Sequence, residues 1–236
     1  MRRLILIITM LLPLSIYAQS WTFGVDAGIS INQFSASNGS SMNPSLVKSG
    51  EPHPGLNAGA NANYTSKKGF VYGTGLSYKS NKKGSFNMSG SSSHSFVSYT
   101  GIANVNFEYG SIELPINFGY KINVSEKFAI TPMVGVWGAI NVGGDMAVYV
   151  MGEPGNTNDI YNSNNPFEDM TYSYGGRDYN FSSFSRFDVG LMAGVEFSLS
   201  KFYFKFGANF GLINARNDLD SSFKHNSYSF LLGYKF

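Results

Sequence analysis

The residues with the clearest potential for chemistry are His225 and Ser227, which stand two positions apart near the end of the chain. In an extended strand, residues two apart lie on the same face, so a general base and a hydroxyl nucleophile could be neighbours there. No acidic residue that would orient the histidine is identifiable, although Asp218 and Asp220 are close along the chain. The two residues are therefore compatible with a hydrolase, but the acidic member of a catalytic triad is not identified.

Other patterns of catalysis or metal binding are missing from the sequence. It has no cysteine, no histidine pair at metal-ligand spacing, no phosphate-binding glycine loop and no Gly-x-Ser-x-Gly motif. The other two histidines, His53 and His94, fall in predicted loops, where a solvated histidine is expected. The acidic residues of 143–186 lack the Asp-x-Asp-x-Asp-Gly spacing of a Ca²⁺ loop. We therefore expect no metal and no cofactor.

A second set of ionisable residues lies on faces that are otherwise rich in Gly, Ser and Asn. Its members are Asp26, Lys79, Glu113, Lys121, Asp188, Glu196, Lys205 and Lys235. Charges that are taken out of water must be paired, because each otherwise carries a desolvation penalty of roughly several kcal/mol. The equal numbers of acids and bases predict a neutral ionic network that fills a closed interior. A proton or ion path through that interior is the alternative, but balanced charges suit a plug better than a selective conduit.

The elements that carry these residues are predicted to be β-strands, since apolar and polar residues alternate with period two after residue 20. The segments are about 21–32, 56–64, 70–79, 112–122, 128–140, 188–199, 202–212 and 227–236. The fifth is the least regular, because Met133 and Trp137 fall on the face opposite to its other apolar residues. Each segment can supply the roughly 9–11 residues that a tilted membrane strand needs.

The connections between these segments alternate in length. Short ones lie near 66–69, 123–127 and 198–201, and long ones cover about 35–54, 80–103, 143–186 and 213–223. Outer-membrane barrels have short periplasmic turns and long extracellular loops. The sequence therefore predicts an all-β fold, a closed antiparallel eight-stranded transmembrane β-barrel that begins and ends in the periplasm.

Aromatic residues recur at the predicted periplasmic end of every apolar face. They are Trp21, Phe23, Tyr64, Phe70, Tyr72, Phe118, Tyr120, Phe128, Phe197, Phe202, Phe204, Tyr234 and Phe236. Amphipathic rings favour the headgroup region of a bilayer, so this ring of aromatics predicts an interfacial girdle. Tyr234 and Phe236 are also predicted to serve as a C-terminal insertion signal.

The first 18 residues read as a cleaved signal peptide, with residues 19–236 forming the barrel domain. Arg2 and Arg3 are basic, the following run to Ile16 is mostly apolar, and Ala18 is a suitable last residue before cleavage. A single membrane anchor is the alternative, but the run is shorter than about 20 residues and lacks a positive flank on its far side. No later segment has 18 consecutive apolar residues, which leaves a closed barrel as the way across a membrane. The predicted location is the outer membrane.

Composition agrees with a membrane barrel. Charged residues make up 14% of the chain and aromatics 16%, whereas soluble domains usually carry about 25% charge. Without Arg2 and Arg3, the 15 remaining Lys and Arg residues balance the 15 acids, which argues against a nucleic-acid partner. A secreted lipocalin-like barrel with the apolar faces turned inward is the alternative. Its outer surface of Gly, Ser and Asn would be unusually poor in charge for a soluble protein.

Four motifs resemble those of PorT-like outer-membrane β-barrel proteins. They are Gly110-Ser111-Ile112-Glu113-Leu114-Pro115 with Phe118-Gly119-Tyr120-Lys121, Asp188-Val189-Gly190-Leu191 with Gly194-Val195-Glu196, Gly211-Leu212-Ile213-Asn214, and the closing Leu232-Gly233-Tyr234-Lys235-Phe236. Ser111 departs from the pattern, which usually has an aromatic there. The resemblance implies an outer-membrane barrel. Some members of that family take part in protein secretion, and most have no assigned activity.

Three functions follow as hypotheses. The leading one is a non-enzymatic barrel that displays long surface loops for interaction or envelope integrity. The segment 143–186 is rich in Tyr, Ser, Gly and Asn, as binding loops are, although it could equally be a mobile loop of incidental composition. The second is an accessory subunit of a secretion or transport assembly, and the third is a lipid A-modifying hydrolase that uses His225 and Ser227. Expected partners are outer-membrane lipid, the barrel-assembly machinery during insertion, and a protein bound through the extracellular loops.

Overall fold

The computed structural model describes residues 21–37, 52–94, 97–151, 159–174, 177–181, 184–215 and 222–236. The predicted signal peptide, 1–18, lies outside these residues. The described ranges contain no helix that is long and apolar enough to cross a membrane.

The chain forms β-strands that close into a barrel. Their bounds are β1 (Trp21–Ser37), β2 (His53–Thr65), β3 (Phe70–His94), β4 (Val97–Tyr120), β5 (Ile122–Asn123), β6 (Phe128–Met151), β7 (Asp159–Ser163), β8 (Met170–Tyr174), β9 (Arg177–Phe181), β10 (Phe187–Leu199), β11 (Phe202–Gly211) and β12 (Ser222–Lys235). Eight of them pair antiparallel in the cyclic order β1, β2, β3, β4, β6, β10, β11 and β12, and β12 returns to β1. The predicted closed antiparallel eight-stranded barrel is confirmed.

Successive residues of each barrel strand point alternately outward and into the lumen. Leu232 is 70% exposed on the outer wall, whereas its neighbour Leu231 is buried in the lumen. Met133 and Trp137, which broke the apolar pattern of β6, are both buried inside. The apolar faces therefore point outward, toward lipid, and the lipocalin-like alternative is wrong for this chain.

One end of the barrel carries the connections 66–69, 121–127 and 200–201, and we call it the turn end; the opposite end is the loop end. Outer-wall aromatics at the turn end touch across the strands. Ring contacts run from Trp21 to Tyr64, from Tyr64 to Tyr72 and from Tyr72 to Phe118 at 5.3–6.4 Å between centroids. Tyr234 packs against Phe202 and Phe236 on the closing side. The residues predicted to form the girdle and the C-terminal signal share this end of the outer wall.

Strands at the loop end run further than the sequence predicted. Most of 80–103, expected to be a long loop, continues β3 and β4 as one hairpin whose pairing reaches His94 and Val97. The first part of 143–186 likewise continues β6 to Met151. This extension pairs with β4 on one edge and with β7 on the other. The end of the β3 extension escaped prediction because period-two alternation requires one apolar face, and its Gly- and Ser-rich residues 89–94 have none.

A bulge in β6 changes which residues point inward. Gly143 and Gly144 adopt positive φ angles of 52° and 147°, and the register between β4 and β6 shifts opposite them, beside Tyr109. An extra residue in one strand reverses its alternation. Met146 and Val148 therefore become buried at the loop end, although Asn141 is buried on the other side of the bulge.

Candidate functional site in the barrel lumen

The lumen is filled by side chains, and glycines make room for the largest of them. A Cβ added at Gly233 would meet the ring of Tyr203, and one added at Gly190 would meet the indole of Trp137 as well as the neighbouring backbone. Tyr203 and Trp137 are almost completely buried. The indole Nε1 donates a hydrogen bond to the carbonyl oxygen of Leu191 at 3.1 Å. An eight-stranded barrel is just wide enough for such filling.

The first charged layer of the lumen lies near the turn end. Lys235 Nζ on β12 is 2.6 Å from Glu196 Oε1 on β10, and it donates a second hydrogen bond to Ser198 Oγ at 2.8 Å. Ser198 Oγ in turn donates to Glu196 Oε1 at 2.9 Å. The three polar groups therefore satisfy one another across the strand that separates β10 from β12.

The second layer surrounds Asp26 of β1. Its Oδ2 accepts hydrogen bonds from the Tyr203 hydroxyl at 2.8 Å and from Asn61 Nδ2 at 2.9 Å, and it lies 3.3 Å from Lys205 Nζ. Asn61 also contacts the Tyr203 hydroxyl at 2.6 Å. Strands β1, β2 and β11 supply the partners, so this cluster holds distant parts of the barrel wall together.

The third layer is the most deeply buried. Lys79 Nζ on β3 lies 2.7 Å from Glu113 Oε2 on β4, with only 3% and 4% of the two side chains exposed. The same ammonium donates to Ser227 Oγ at 3.1 Å, and Asn209 Nδ2 donates to the same carboxylate oxygen at 3.3 Å. The layer spans the lumen from β3 and β4 to β11 and β12.

Asp188 lies beside a histidine at the loop end of the lumen. Its Oδ2 lies 3.6 Å from Nδ1 of His225, and both residues are buried at the loop end of the lumen. Sequence reasoning had treated His225 only as a partner of Ser227. Both residues lie on inward faces at the loop ends of β10 and β12. Their similar depth in the lumen could have indicated from the sequence that they are close together.

Lys121 takes no part in these layers. It lies at the turn-end mouth, beside a cavity of about 290 Å³ whose wall also includes Lys235 and Glu196. Among the described residues, no carboxylate forms an ion pair with it. The eight ionisable residues thus divide into three lysine–carboxylate pairs, a carboxylate that faces His225, and one lysine at the mouth.

A cap of apolar side chains closes the lumen above His225. Phe34 of β1 packs edge-on against Phe107 of β4 at 4.9 Å between ring centroids, and it also contacts His225 at 5.2 Å. Phe184 lies 4.4 Å from Phe107, and Phe167 lies 5.4 Å from Tyr109. All of these aromatic residues are buried. The cap was not predicted, because Phe167 and Phe184 lie in 143–186, where no alternation marks an inward face.

The cap is tied to the barrel wall by hydrogen bonds. The backbone N–H of Phe184 donates to the carbonyl of Pro166 at 2.9 Å, and Asn141 Nδ2 donates to the carbonyl of Ser185 at 2.9 Å. Arg186 lies over the Phe167 ring, 5.3 Å from its centroid. Part of 143–186 is therefore a component of the filled lumen and not an autonomous surface module.

The geometry around Ser227 does not suit nucleophilic catalysis. Its Oγ accepts a hydrogen bond from Lys79, and the same ammonium lies 2.7 Å from Glu113 Oε2, so the hydroxyl belongs to the third charged layer. His225 and Ser227 are 1% and 2% exposed beneath the cap. A lipid acyl chain would have to cross the barrel wall to reach them. Within the described ranges, no group of three His, Asp or Glu residues could hold a metal ion.

Comparison with known proteins places the chain among outer-membrane barrels. Residues 17–217 match the model of a family described as outer membrane protein beta-barrel domain. A comparison with curated protein sequences gave no match.

Three of the solved structures that the chain matches have the following similarity to it. The attachment invasion locus protein Ail of Yersinia pestis is 12% identical, with a TM-score of 0.43 over 92% of this chain and 100% of that one. Neisserial surface protein A is 13% identical, with a TM-score of 0.43 over 91% and 97%. The N-terminal barrel domain of Pseudomonas aeruginosa OprF is 9% identical, with a TM-score of 0.30 over 90% and 97%.

Proposed function

Because the chain belongs to the family of outer-membrane proteins with a β-barrel domain, we propose that it is a non-enzymatic scaffold of the outer membrane. In this proposal a plugged barrel holds strand extensions outside the bilayer for interaction with a partner or for envelope integrity. The observation that carries it is the contrast between the two parts of the barrel. The lumen is occupied by ionic layers and an apolar cap, whereas three strands continue well beyond the loop end.

The strand extensions form a sheet of their own. Beyond the barrel, β3 pairs with β4, β4 pairs with β6 as far as Met151, and β6 gains β7 as a further neighbour. The pairing of β3 with β4 is interrupted by a register shift between Lys79 and Lys82. A strand rises about 3.3 Å per residue, so the paired segment from Lys82 to His94 extends roughly 40 Å beyond this shift. Such a length of hydrogen-bonded ribbon serves presentation better than a flexible loop, since it fixes the position of whatever it carries.

Complementation of a strain that lacks the gene would test the proposal. The full chain would be compared with a variant in which residues 86–105, the outer part of the β3–β4 hairpin, are replaced by a two-residue Asn-Gly turn between the paired residues Ser85 and Asn106. We expect both to insert, as judged by heat-modifiable migration on SDS gels. Only the full chain should restore the resistance to detergent and the surface binding that the strain has lost.

The matched control replaces β8 and β9 by a short Gly-Ser linker. Among the described strands, these two pair only with each other. This variant also shortens the loop end and should complement fully. If the hairpin variant complements as well as the control does, the β3–β4 ribbon has no role and the proposed scaffold function fails.

An accessory role in a secretion assembly, which the PorT-like motifs suggest, is the second candidate. The motif residues Glu113, Asp188 and Glu196 all lie within the lumen and contact other lumen residues. The motifs therefore reflect how the barrel is built, and they do not by themselves favour secretion. Co-purification of a stoichiometric partner in mild detergent, lost when the turn-end connections are exchanged, would favour the assembly instead.

A further inference from the structure

The turn end of the outer wall carries exposed positive charge that the lumen network does not use. Four exposed lysines project from its three connections, and we call them the lysine rim: Lys67, Lys68, Lys127 and Lys201. Among the described residues, the acidic side chains at the turn-end mouth are Glu126 and Glu196, and Glu196 is paired with Lys235. Lys121, at the mouth beside them, adds a further positive charge without a described carboxylate partner. The excess of lysines makes this end of the barrel positive.

The rim lies at the depth of the aromatic girdle. Lys201 Nζ stands 5.8 Å from the centroid of the Tyr234 ring, on the outer wall. Lys67 and Lys68 occupy the turn between two girdle residues, Tyr64 and Phe70, and Lys127 directly precedes Phe128. Girdle aromatics mark the headgroup region of a bilayer, and a lysine stem can extend along apolar surface while its ammonium reaches that region. The rim ammonium groups therefore lie where headgroup phosphates would be.

We propose that the lysine rim binds the phosphates of anionic phospholipid headgroups in the leaflet at the turn end, and so selects anionic over zwitterionic lipid. Because the four lysines come from every turn-end connection, they are distributed around the barrel instead of converging on one patch. A surrounding leaflet fits that distribution better than a single soluble acidic partner. The mouth cavity offers less free charge, since Lys235 is paired with Glu196 at 2.6 Å. This inference depends on the membrane location and not on the proposed scaffold function.

Native mass spectrometry of the full mature chain would measure the selection. The protein is reconstituted in nanodiscs of equimolar phosphatidylcholine and phosphatidylglycerol, released, and analysed for retained lipid. We expect phosphatidylglycerol to be enriched by roughly fivefold for each engaged lysine at low salt, since a basic residue near an anionic surface contributes on that scale. The enrichment should fall as ionic strength rises, because salt screens exposed charges. Retained lipid that matches the bulk mixture would overturn the proposal.

Variants locate the selection on the rim. The quadruple variant Lys67→Gln, Lys68→Gln, Lys127→Gln and Lys201→Gln should retain the two lipids in their bulk ratio. Lys201→Gln alone should lower the enrichment, whereas its control Lys224→Gln, near the loop end, should not. A phosphorus NMR titration with inorganic phosphate distinguishes the sources of the anion: no binding at millimolar concentration supports recognition at a bilayer surface. Equal enrichment in the quadruple variant, or tight binding of free phosphate at the rim, would contradict a lipid site.

Discussion

Lys79 Nζ lies 2.7 Å from Glu113 Oε2, and the two side chains are almost completely buried in the middle of the barrel. They come from neighbouring strands, and they are also hydrogen-bonded to Ser227 and Asn209 from the opposite side of the lumen. The pair thus connects the two halves of the wall. Charges in such surroundings are tolerated only as partners, because an isolated buried ion is strongly destabilising.

Removal of one member of this pair should therefore cost more than removal of both. We expect Lys79→Met to lower the free energy of unfolding by about 3–5 kcal/mol, since Glu113 is left without its counter-ion. The double variant Lys79→Met/Glu113→Leu should recover part of that loss. Urea-induced unfolding in vesicles of zwitterionic phosphatidylcholine measures both, with Lys67→Met as an exposed control. Equal stability of Lys79→Met and Lys67→Met would show that the pair is not buried as described.

Two glycines offer a matched test of lumen packing. A Cβ at Gly233 would fall on the Tyr203 ring, whose hydroxyl is fixed by Asp26 and Asn61. Because the ring cannot move without breaking those hydrogen bonds, Gly233→Ala should destabilise the barrel by about 1–3 kcal/mol. A Cβ at Gly138 meets open space on the outer wall, so Gly138→Ala should be neutral or slightly stabilising. The same vesicle unfolding assay compares them, and an equal effect of both substitutions would exclude the filled lumen.

The apolar cap separates two parts of 143–186 that sequence alone treated as one loop. Phe184→Ala should lower the free energy of unfolding by about 3 kcal/mol, as for other buried aromatics. Replacement of 170–181, which holds β8 and β9, by a Gly-Ser linker should change the free energy of unfolding by less than about 1 kcal/mol, since these two strands form no pairing with any other strand that the structure describes. Urea-induced unfolding in phospholipid vesicles measures both variants. A hairpin deletion that destabilises as much as Phe184→Ala would contradict this division.

The hydrolase hypothesis leads to a simple expectation. Ser227→Ala removes an acceptor for Lys79 and should cost about 1 kcal/mol of stability, but it should leave the lipid A species of the cell unchanged. Mass spectra of lipid A from strains with the wild-type chain, the Ser227→Ala variant and no chain would show whether the protein modifies lipid A. The three spectra should agree. A lipid A species that is present with the wild-type chain but absent from both other strains would support the hydrolase hypothesis.

The membrane-spanning part of the fold could be predicted from sequence because each strand there has one face toward lipid. That constraint imposes alternation, and Leu231 and Leu232 obey it although they are chemically identical. The strand extensions carry no such constraint: residues 84–94 resemble a polar loop, and only pairing with β4 makes them a strand. The pattern of a short sequence segment does not show which distant strand the segment pairs with.

The lumen site shows the same limit. The inward side chains of Glu196 and Lys235 followed from alternation, but their pairing across an intervening strand depended on barrel closure and shear, which no short pattern encodes. Asp188 was assigned to a lysine network and faces His225 instead. Met146 and Val148 became inward residues because a glycine bulge reversed the alternation of β6. Each of these outcomes was decided by tertiary geometry.

The orientation of the apolar faces is the claim on which the whole account depends, and Leu231 and Leu232 test it most directly. The chain contains no cysteine, so Leu231→Cys and Leu232→Cys can each carry a single nitroxide in otherwise identical proteins in lipid vesicles. Collision rates with oxygen, which concentrates in the bilayer, and with a water-soluble nickel chelate define the surroundings of each label. We predict high oxygen and low nickel accessibility at position 232, and protection from oxygen at position 231. High oxygen accessibility at 231 together with a protected 232 would mean that the barrel is turned inside out.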